Sequence, residues 1–250
     1  MKKPSPVSLV SIFCIFAVVA ILLQPAVQPL RKTVRPPCAN NLKRIGLALH
    51  NYHDDFLSFP PAYVADETGR PMHSWRVLLL PYLPESAEQQ TVLREYRFDE
   101  PWDGPHNRKL HDLTLKVFRC PSDAGPATET TYVAVVGDTT AWPGARGVRF
   151  RDMTDGASNS LLVVEITNSG IHWLEPRDLQ FDKLPLKINP REASGISSQH
   201  GDVAHRDGAH HYGAHALFGD GQVQYLENSL PEETLRLLLE INDGEELPDF

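Results

Sequence analysis

The first clear pattern in the chain is an uninterrupted apolar run near its start. Residues 7–23 carry no charge, and together with residues 24–27 they approach the roughly 20 residues that an α-helix needs to cross a bilayer. A cleaved signal peptide is the alternative, but the run is longer than a usual signal core and no convincing small-residue cleavage site follows it. We therefore expect a retained membrane anchor over residues 1–30. Basic residues flank the run on both sides, so charge does not decide its orientation.

A second apolar pattern, with the period of an α-helix, follows a proline-rich linker at residues 31–37. Asn40 and Asn41 predict the N-terminal cap, and the prolines after residue 59 predict the end near Phe56. We expect this helix to cover one side of a sheet with its apolar stripe. The stripe consists of Leu42, Ile45, Leu49, Tyr52 and Phe56.

The rest of the chain reads as short elements between turns. Residues 74–83 fit a strand or a short helix, and residues 130–136 predict a strand from their β-branched content. A buried strand over residues 161–164 ends at Glu165, which we expect to be partly buried and held by an arginine or a backbone amide. The pattern as a whole predicts an α+β fold with a mostly antiparallel β-sheet over residues 38–250.

The end of the chain predicts a hairpin and a helix. Two apolar runs, residues 216–218 and 222–226, flank Asp220-Gly221, which favours a tight turn of the primed type because glycine accepts a positive φ. Ser229 then predicts the N-cap of a C-terminal helix.

Composition limits the classes of function. A formal net charge of −8 in 250 residues argues against a nucleic-acid surface, and 41% hydrophobic residues are typical of a globular chain. Of the three cysteines, Cys14 lies in the apolar run. If residues 38–250 face an oxidising compartment, Cys38–Cys120 is the only disulfide that this domain can form; two unrelated buried thiols are the alternative.

Histidines are concentrated in residues 200–215. An ion site would use His210, Asp220 and one of His200, His205 or His215 as ligands to Zn²⁺ or a similar ion. We favour a structural role, in which His210 bonds a backbone carbonyl or the Asp220 carboxylate and fixes the loop against the hairpin. The sequence has no metalloprotease helix motif, no serine-hydrolase elbow, no phosphate-binding loop and no zinc-ribbon cysteine pairs, so we expect neither an enzyme nor a cofactor. The clustered histidines are His200, His205, His210, His211 and His215.

Several motifs, spread over nearly the whole chain, share their order with one bacterial family. The C-terminal one is His210, nine residues, then Asp220-Gly221. The others are the run from Cys38 to His53 with Phe59-Pro60-Pro61, and residues 74–83, 118–123 and 154–160. In these motifs the chain resembles the prepilin-like proteins that carry domain of unknown function 1559.

The resemblance implies a pilin-like layout, in which one helix packs on the sheet, and a C-terminal domain outside the cytoplasm, which supports the Cys38–Cys120 disulfide. It does not extend to the processing signal, because Pro4-Ser5-Pro6 and the residues after them lack the glycine and the glutamate of prepilins.

Taken together, these patterns predict a non-enzymatic, single-pass membrane protein, pseudopilin-like, in surface assembly or secretion. Its expected partners are the lipid bilayer, further copies of the chain or assembly proteins of the pilus or secretion type, and no nucleic acid. The alternative is an extracytoplasmic metal- or ligand-binding domain, including a hydrolytic one, that uses the histidine-rich loop at residues 200–215.

Overall fold

A computed structural model describes residues 37–191, 194–199, 203–204 and 210–248. The predicted anchor, residues 1–30, and the predicted linker, except for Pro37, lie outside these residues. Within the part of the chain that is described, none of the helices combines the length and the apolar character that crossing a membrane requires.

The first described helix, α1, spans Pro37–Phe56. It begins three residues before the predicted cap, so the prediction that Asn40 and Asn41 precede the helix is wrong. The side chain of Asn41 points instead to a neighbouring segment, where its Nδ2 donates to the carbonyl oxygens of Lys116 at 3.0 Å and Arg119 at 2.9 Å. The predicted end at Phe56 is confirmed.

The largest sheet formed by the described residues has four strands, and all of its pairings are antiparallel; their order across the sheet is Val223–Glu227, Gly213–Phe218, Leu161–Glu165 and Tyr132–Val133. The predicted α+β class with a mostly antiparallel sheet is therefore confirmed. The strands are β1 (Tyr63–Ala65), β2 (Pro71–Ser74), β3 (Tyr132–Val133), β4 (Val135–Val136), β5 (Leu161–Glu165), β6 (Leu179–Gln180), β7 (Val203–Ala204), β8 (His210–His211), β9 (Gly213–Phe218) and β10 (Val223–Glu227).

Helices cover both faces of this sheet, because successive side chains of a strand point to opposite sides. Leu217 of β9 packs with Leu42, Ile45 and Leu49 of α1, all of them fully buried. A Cβ on Gly46 would lie 2.8 Å from Leu217 Cδ1, so the glycine lets α1 approach the strand closely. On the other face, Ala216 and Phe218 pack with leucines of the C-terminal helix, Glu232–Leu239.

This C-terminal helix begins later than predicted. Its N-cap position is Pro231, which has no side-chain acceptor, and Ser229 turns back so that its Oγ donates to Glu227 Oε2 at 3.2 Å. The prediction that Ser229 caps the helix is therefore wrong.

Two short helices follow β2, namely α2 (Trp75–Leu78) and α3 (Ala87–Glu95). The helical alternative for residues 74–83 is thus the correct one. Ser74 caps α2, since its Oγ accepts the amide of Arg76 at 3.2 Å.

A buried ion pair fixes α2 against the β-structure. Nη2 of Arg76 lies 2.5 Å from Oδ1 of Asp178, and the two side chains are 0% and 2% exposed. Arg76 also donates to the carbonyl oxygen of Tyr132 at 3.1 Å, and Asp178 accepts Trp75 Nε1 at 3.2 Å. Burial lowers the pKa of Arg76 and raises that of Asp178, and the charge of each residue opposes the shift of the other.

The same carboxylate interrupts the strand predicted over residues 130–136. Oδ1 of Asp178 accepts the amide of Ala134 at 2.8 Å, so this amide is engaged by a side chain at the junction of the two short strands. The segment divides there into β3, which joins the four-stranded sheet, and β4, which pairs in parallel with β6.

We expect Arg76→Met to reduce the free energy of unfolding by about 3–5 kcal/mol, because it leaves the Asp178 carboxylate buried without its charge partner. Urea denaturation followed by tryptophan fluorescence measures this change. Arg94→Met is the matched control, since Arg94 lies 3.4 Å from Glu95 in an exposed ion pair and its loss should cost less than about 1 kcal/mol. Equal losses in the two variants would contradict the central role of the buried pair.

Candidate functional site

The Asp220-Gly221 motif forms the loop between β9 and β10, as predicted. The amide of Gly221 donates to the carbonyl oxygen of Phe218 at 3.0 Å, and Gly221 has a φ of 84°. Asp220 is not among the residues of positive φ, so the turn is not of the primed type. It is instead a three-residue loop whose last residue is left-handed, which is the other common hairpin connection.

The Asp220 side chain serves its own turn. Its Oδ1 accepts the amide of Gln222 at 2.9 Å, and its backbone amide donates to the carbonyl oxygen of Ala157 at 3.1 Å. The preceding amide, that of Gly219, donates to the carbonyl oxygen of Ser160 at 2.8 Å. The loop is thereby attached to the motif at residues 154–160.

Helix α1 also holds this loop, through the side chain of His50. Nε2 of His50 lies 2.9 Å from the carbonyl oxygen of Gly219, and because a carbonyl only accepts, this nitrogen carries the hydrogen. Three of the family motifs therefore meet at the turn. The spacing of His50 along the helix gave no sign of this contact, since its partner lies 169 residues away.

The histidine-rich segment is described only in part. His200 and His205 lie outside the described residues. His210 and His211 are described as backbone only, in strand β8, where Ala204 pairs with His210. The predicted bond between His210 and Asp220, and the zinc site of the alternative interpretation, both stay predictions.

His215 has a partner that the sequence did not assign to it. Its Nδ1 lies 3.0 Å from Oε2 of Glu165, and its backbone amide donates to the same oxygen at 2.8 Å. Both side chains are buried, at 7% and 2% exposure. Of the two partners expected for Glu165, an arginine or a backbone amide, the amide is confirmed, and the side chain is fully rather than partly buried. Among the described residues, His215 and Asp220 do not belong to a common group of metal-binding side chains.

The Glu165–His215 pair belongs to a row of side chains that crosses the sheet on the α1 side. Tyr132 is opposite Glu165 in the β3–β5 register, and Tyr225 is opposite His215 in the β9–β10 register. The rings of His215 and Tyr225 meet edge to face, with centroids 5.1 Å apart. Burial, followed by the charge of Glu165, raises the pKa of Tyr132. The row thus places a carboxylate, an imidazole and two phenols in one line, buried at Tyr132, Glu165 and His215 and half-buried at Tyr225.

The predicted disulfide lies beside this row. Cys38, in the first turns of α1, is bonded to Cys120, and the bond joins positions 82 residues apart. The hydroxyl of Tyr132 donates to the carbonyl oxygen of Cys38 at 3.3 Å. The conditional prediction from the cysteine positions is therefore confirmed, and the alternative of two unrelated thiols is excluded.

A second histidine cluster was not predicted. The rings of Trp102 and His111 stack with centroids 5.0 Å apart, and those of His111 and His172 lie 4.6 Å apart. Nε2 of His172 donates to the carbonyl oxygen of His111 at 2.9 Å, and its Nδ1 accepts the amide of Leu174 at 3.1 Å. This arrangement requires the neutral imidazole, and burial lowers the pKa of His172 accordingly.

Comparison with known proteins supports the resemblance over part of the chain. Residues 35–146 match the model of a family described as a protein of unknown function (DUF1559). The predicted resemblance to this family is confirmed over these residues, which make up less than half of the chain, and the match does not extend to the motif of His210 and Asp220-Gly221. No curated protein and no solved structure gives a significant match to the chain.

We expect Gly221→Ala to cost about 1–2 kcal/mol of unfolding free energy, because an L side chain is strained at this positive φ. Asp220→Asn is the control, since an amide oxygen still accepts the Gln222 amide, and its effect should stay within about 0.5 kcal/mol. Thermal unfolding of both variants would decide, and a neutral Gly221→Ala would show that the turn tolerates another geometry.

We expect the protein to lose stability as the pH falls below about 6.5. The pKa values of His53, His73 and His172 are all lowered from 6.5, mainly by burial. Below pH 6.5 these imidazoles therefore bind protons more readily in the unfolded chain than in the folded chain. Their contribution to the free energy of unfolding is present above pH 6.5 and is lost as the pH falls below it. Unfolding free energies measured between pH 7.5 and 5.5 at constant ionic strength test this, and His172→Gln should flatten the slope. A flat profile in the unsubstituted protein would contradict it.

Proposed function

We propose that this chain is a non-enzymatic, membrane-anchored protein of pseudopilin-like type, whose domain at residues 38–250 lies outside the cytoplasm and takes part in surface assembly or secretion. The observation that carries the proposal is the disulfide between Cys38 and Cys120. Disulfides persist mainly in oxidising compartments. This one lies directly after the predicted anchor and linker, so it fits a domain that begins where the chain leaves the membrane.

Two further features support the proposal. The packing of α1 on an antiparallel sheet is the layout that the family resemblance implies, and the family match covers α1. In addition, α1 keeps an apolar side chain outside the core, since Leu47 is 64% exposed on the helix side opposite the buried stripe. A second copy of the chain would find its contact there.

The membrane part of the proposal is tested in spheroplasts of a bacterium that expresses the full chain. We expect added protease to digest the domain while a cytoplasmic marker survives, and we expect alkaline carbonate to leave the chain in the membrane pellet. Ile15→Arg with Val18→Arg should release the chain, since each arginine at the centre of a span costs about 2.5–3.5 kcal/mol. Ser5→Arg, outside the apolar run, should not. A domain protected from protease, or a soluble chain with a cleaved N-terminus, would contradict the anchor.

The assembly part is tested by chemical cross-linking in the same membranes. We expect a ladder of multimers that Leu47→Asp reduces and that the exposed control Lys43→Asp leaves unchanged. Zinc analysis of the purified, oxidised full chain addresses the rival function. One equivalent of zinc that His210→Ala removes would overturn the non-enzymatic assembly role in favour of a metal-binding domain.

A further inference from the structure

The buried carboxylate of Glu165 has one oxygen in use and one without a partner. Oε2 binds His215, whereas Oε1 is buried and has no hydrogen-bond partner among the described residues. An unpaired buried carboxylate oxygen is costly, so it usually marks a site where a cation or a donor belongs. This oxygen belongs to the carboxylate beside the disulfide.

Three metal-binding side chains converge at this point. One ligand atom from each of Cys38, Cys120 and Glu165 lies within 4.8 Å of the other two, and all three residues are buried. Thiolates, imidazoles and carboxylates are the ligands that Zn²⁺ takes, and structural zinc sites are often built on cysteine pairs. While the disulfide is intact, its sulfur atoms are bonded to each other and cannot act as thiolates.

We propose that reduction of the Cys38–Cys120 disulfide creates a Zn²⁺ site whose ligands are the two cysteine sulfurs and the Glu165 carboxylate. An external dithiol supplies the two electrons and two protons, becoming a cyclic disulfide while the S–S bond breaks into two thiols. When Zn²⁺ binds, each thiol releases its proton to solvent. A solvent molecule takes the fourth ligand position.

The surroundings suit this site. The Cα atoms of the cysteines are 5.0 Å apart, so rotation about the side-chain bonds can bring both sulfurs to a single ion at about 2.3 Å. His215 holds the opposite oxygen of the carboxylate, which is the orienting contact that metal-bound carboxylates need. It acts as a positioning residue.

A small cavity adjoins the proposed site. Its volume is about 10 Å³, and its lining includes Glu165 and Cys120 together with Asp123, Thr131 and Ser197. This volume is about that of one water-sized sphere, so the cavity has room for the solvent molecule in the fourth ligand position and for no larger ligand. The proposed site does not use the histidines of residues 200–211, and it does not depend on the proposed assembly role.

The experiment uses the full chain in detergent with the substitution Cys14→Ser, so that Cys38 and Cys120 are the only cysteines that can bind the metal. The protein is reduced with a dithiol, freed of reductant without oxygen, and titrated with Co²⁺ as a spectroscopic substitute for Zn²⁺. We expect one equivalent to bind with a thiolate-to-cobalt charge-transfer band, and Zn²⁺ to displace it. The oxidised protein should show no such band. A reduced protein without the band overturns the proposal.

Substitutions separate this site from metal binding elsewhere. Glu165→Gln should weaken Co²⁺ affinity at least about tenfold, and Glu175→Gln, an acidic residue outside the site, should leave it unchanged. Equal affinities in these two variants would overturn the proposal, as would cobalt absorption that lacks the thiolate band and disappears in His210→Asn.

A measurement on the protein without a change at Glu165 guards against misfolding of that variant. Zn²⁺ should slow the alkylation of Cys38 and Cys120 in the reduced protein by tenfold or more, as mapped by mass spectrometry. Alkylation at the same rate with and without Zn²⁺ contradicts the site.

Discussion

The ion pair between Arg76 and Asp178 is the interaction on which the rest of the structure depends. It joins residues 102 positions apart in the chain, and neither side chain reaches solvent. A charge in such a place is tolerated only when its donors and acceptors are satisfied. Here Arg76 bonds the carbonyl oxygen of Tyr132, and Asp178 bonds the amide of Ala134, so the pair is tied to both sides of the strand junction. The pair thus marks the point where β3 ends in the four-stranded sheet and where the chain turns to pair, as β4, with β6.

The sheet in turn positions the polar side chains of Tyr132, Glu165 and His215. Since β3 is in register with β5, Tyr132 faces Glu165, and the antiparallel pairing with β9 brings His215 to the same carboxylate. Helix α1 closes over this row at its first turns, where the disulfide holds it, and its His50 reaches the Asp220 loop. One helix therefore contacts both the polar row and the hairpin turn, which lie at separate places along the same sheet face.

Local patterns predicted the parts of this fold that depend on neighbours in sequence. The apolar stripe of α1, the buried strand that ends at Glu165 and the hairpin around Gly221 follow from periodicity and from the conformational freedom of glycine. The same reasoning failed at Ser229, because a hydroxyl that can cap a helix can equally bond a nearby carboxylate. It failed at residues 130–136 because the amide that ends the strand is taken by Asp178, a residue 44 positions away. Local patterns could not predict the pairing of His215 with Glu165 either, because this contact depends on strand register rather than on spacing along the chain.

The disulfide has a mechanical consequence for a chain held at its N-terminal end. Tension that enters at Pro37 would reach Cys38 and pass through the covalent bond to Cys120, so the residues between them carry none of it. That segment spans 82 positions and would otherwise lengthen by up to about 3.4 Å per residue when pulled straight. The load reaches the sheet through Cys120 instead, and the Asn41 contacts to residues 116 and 119 brace the same junction. In a chain held at its N-terminal end, helices α1, α2 and α3 would therefore lie outside the path of the load.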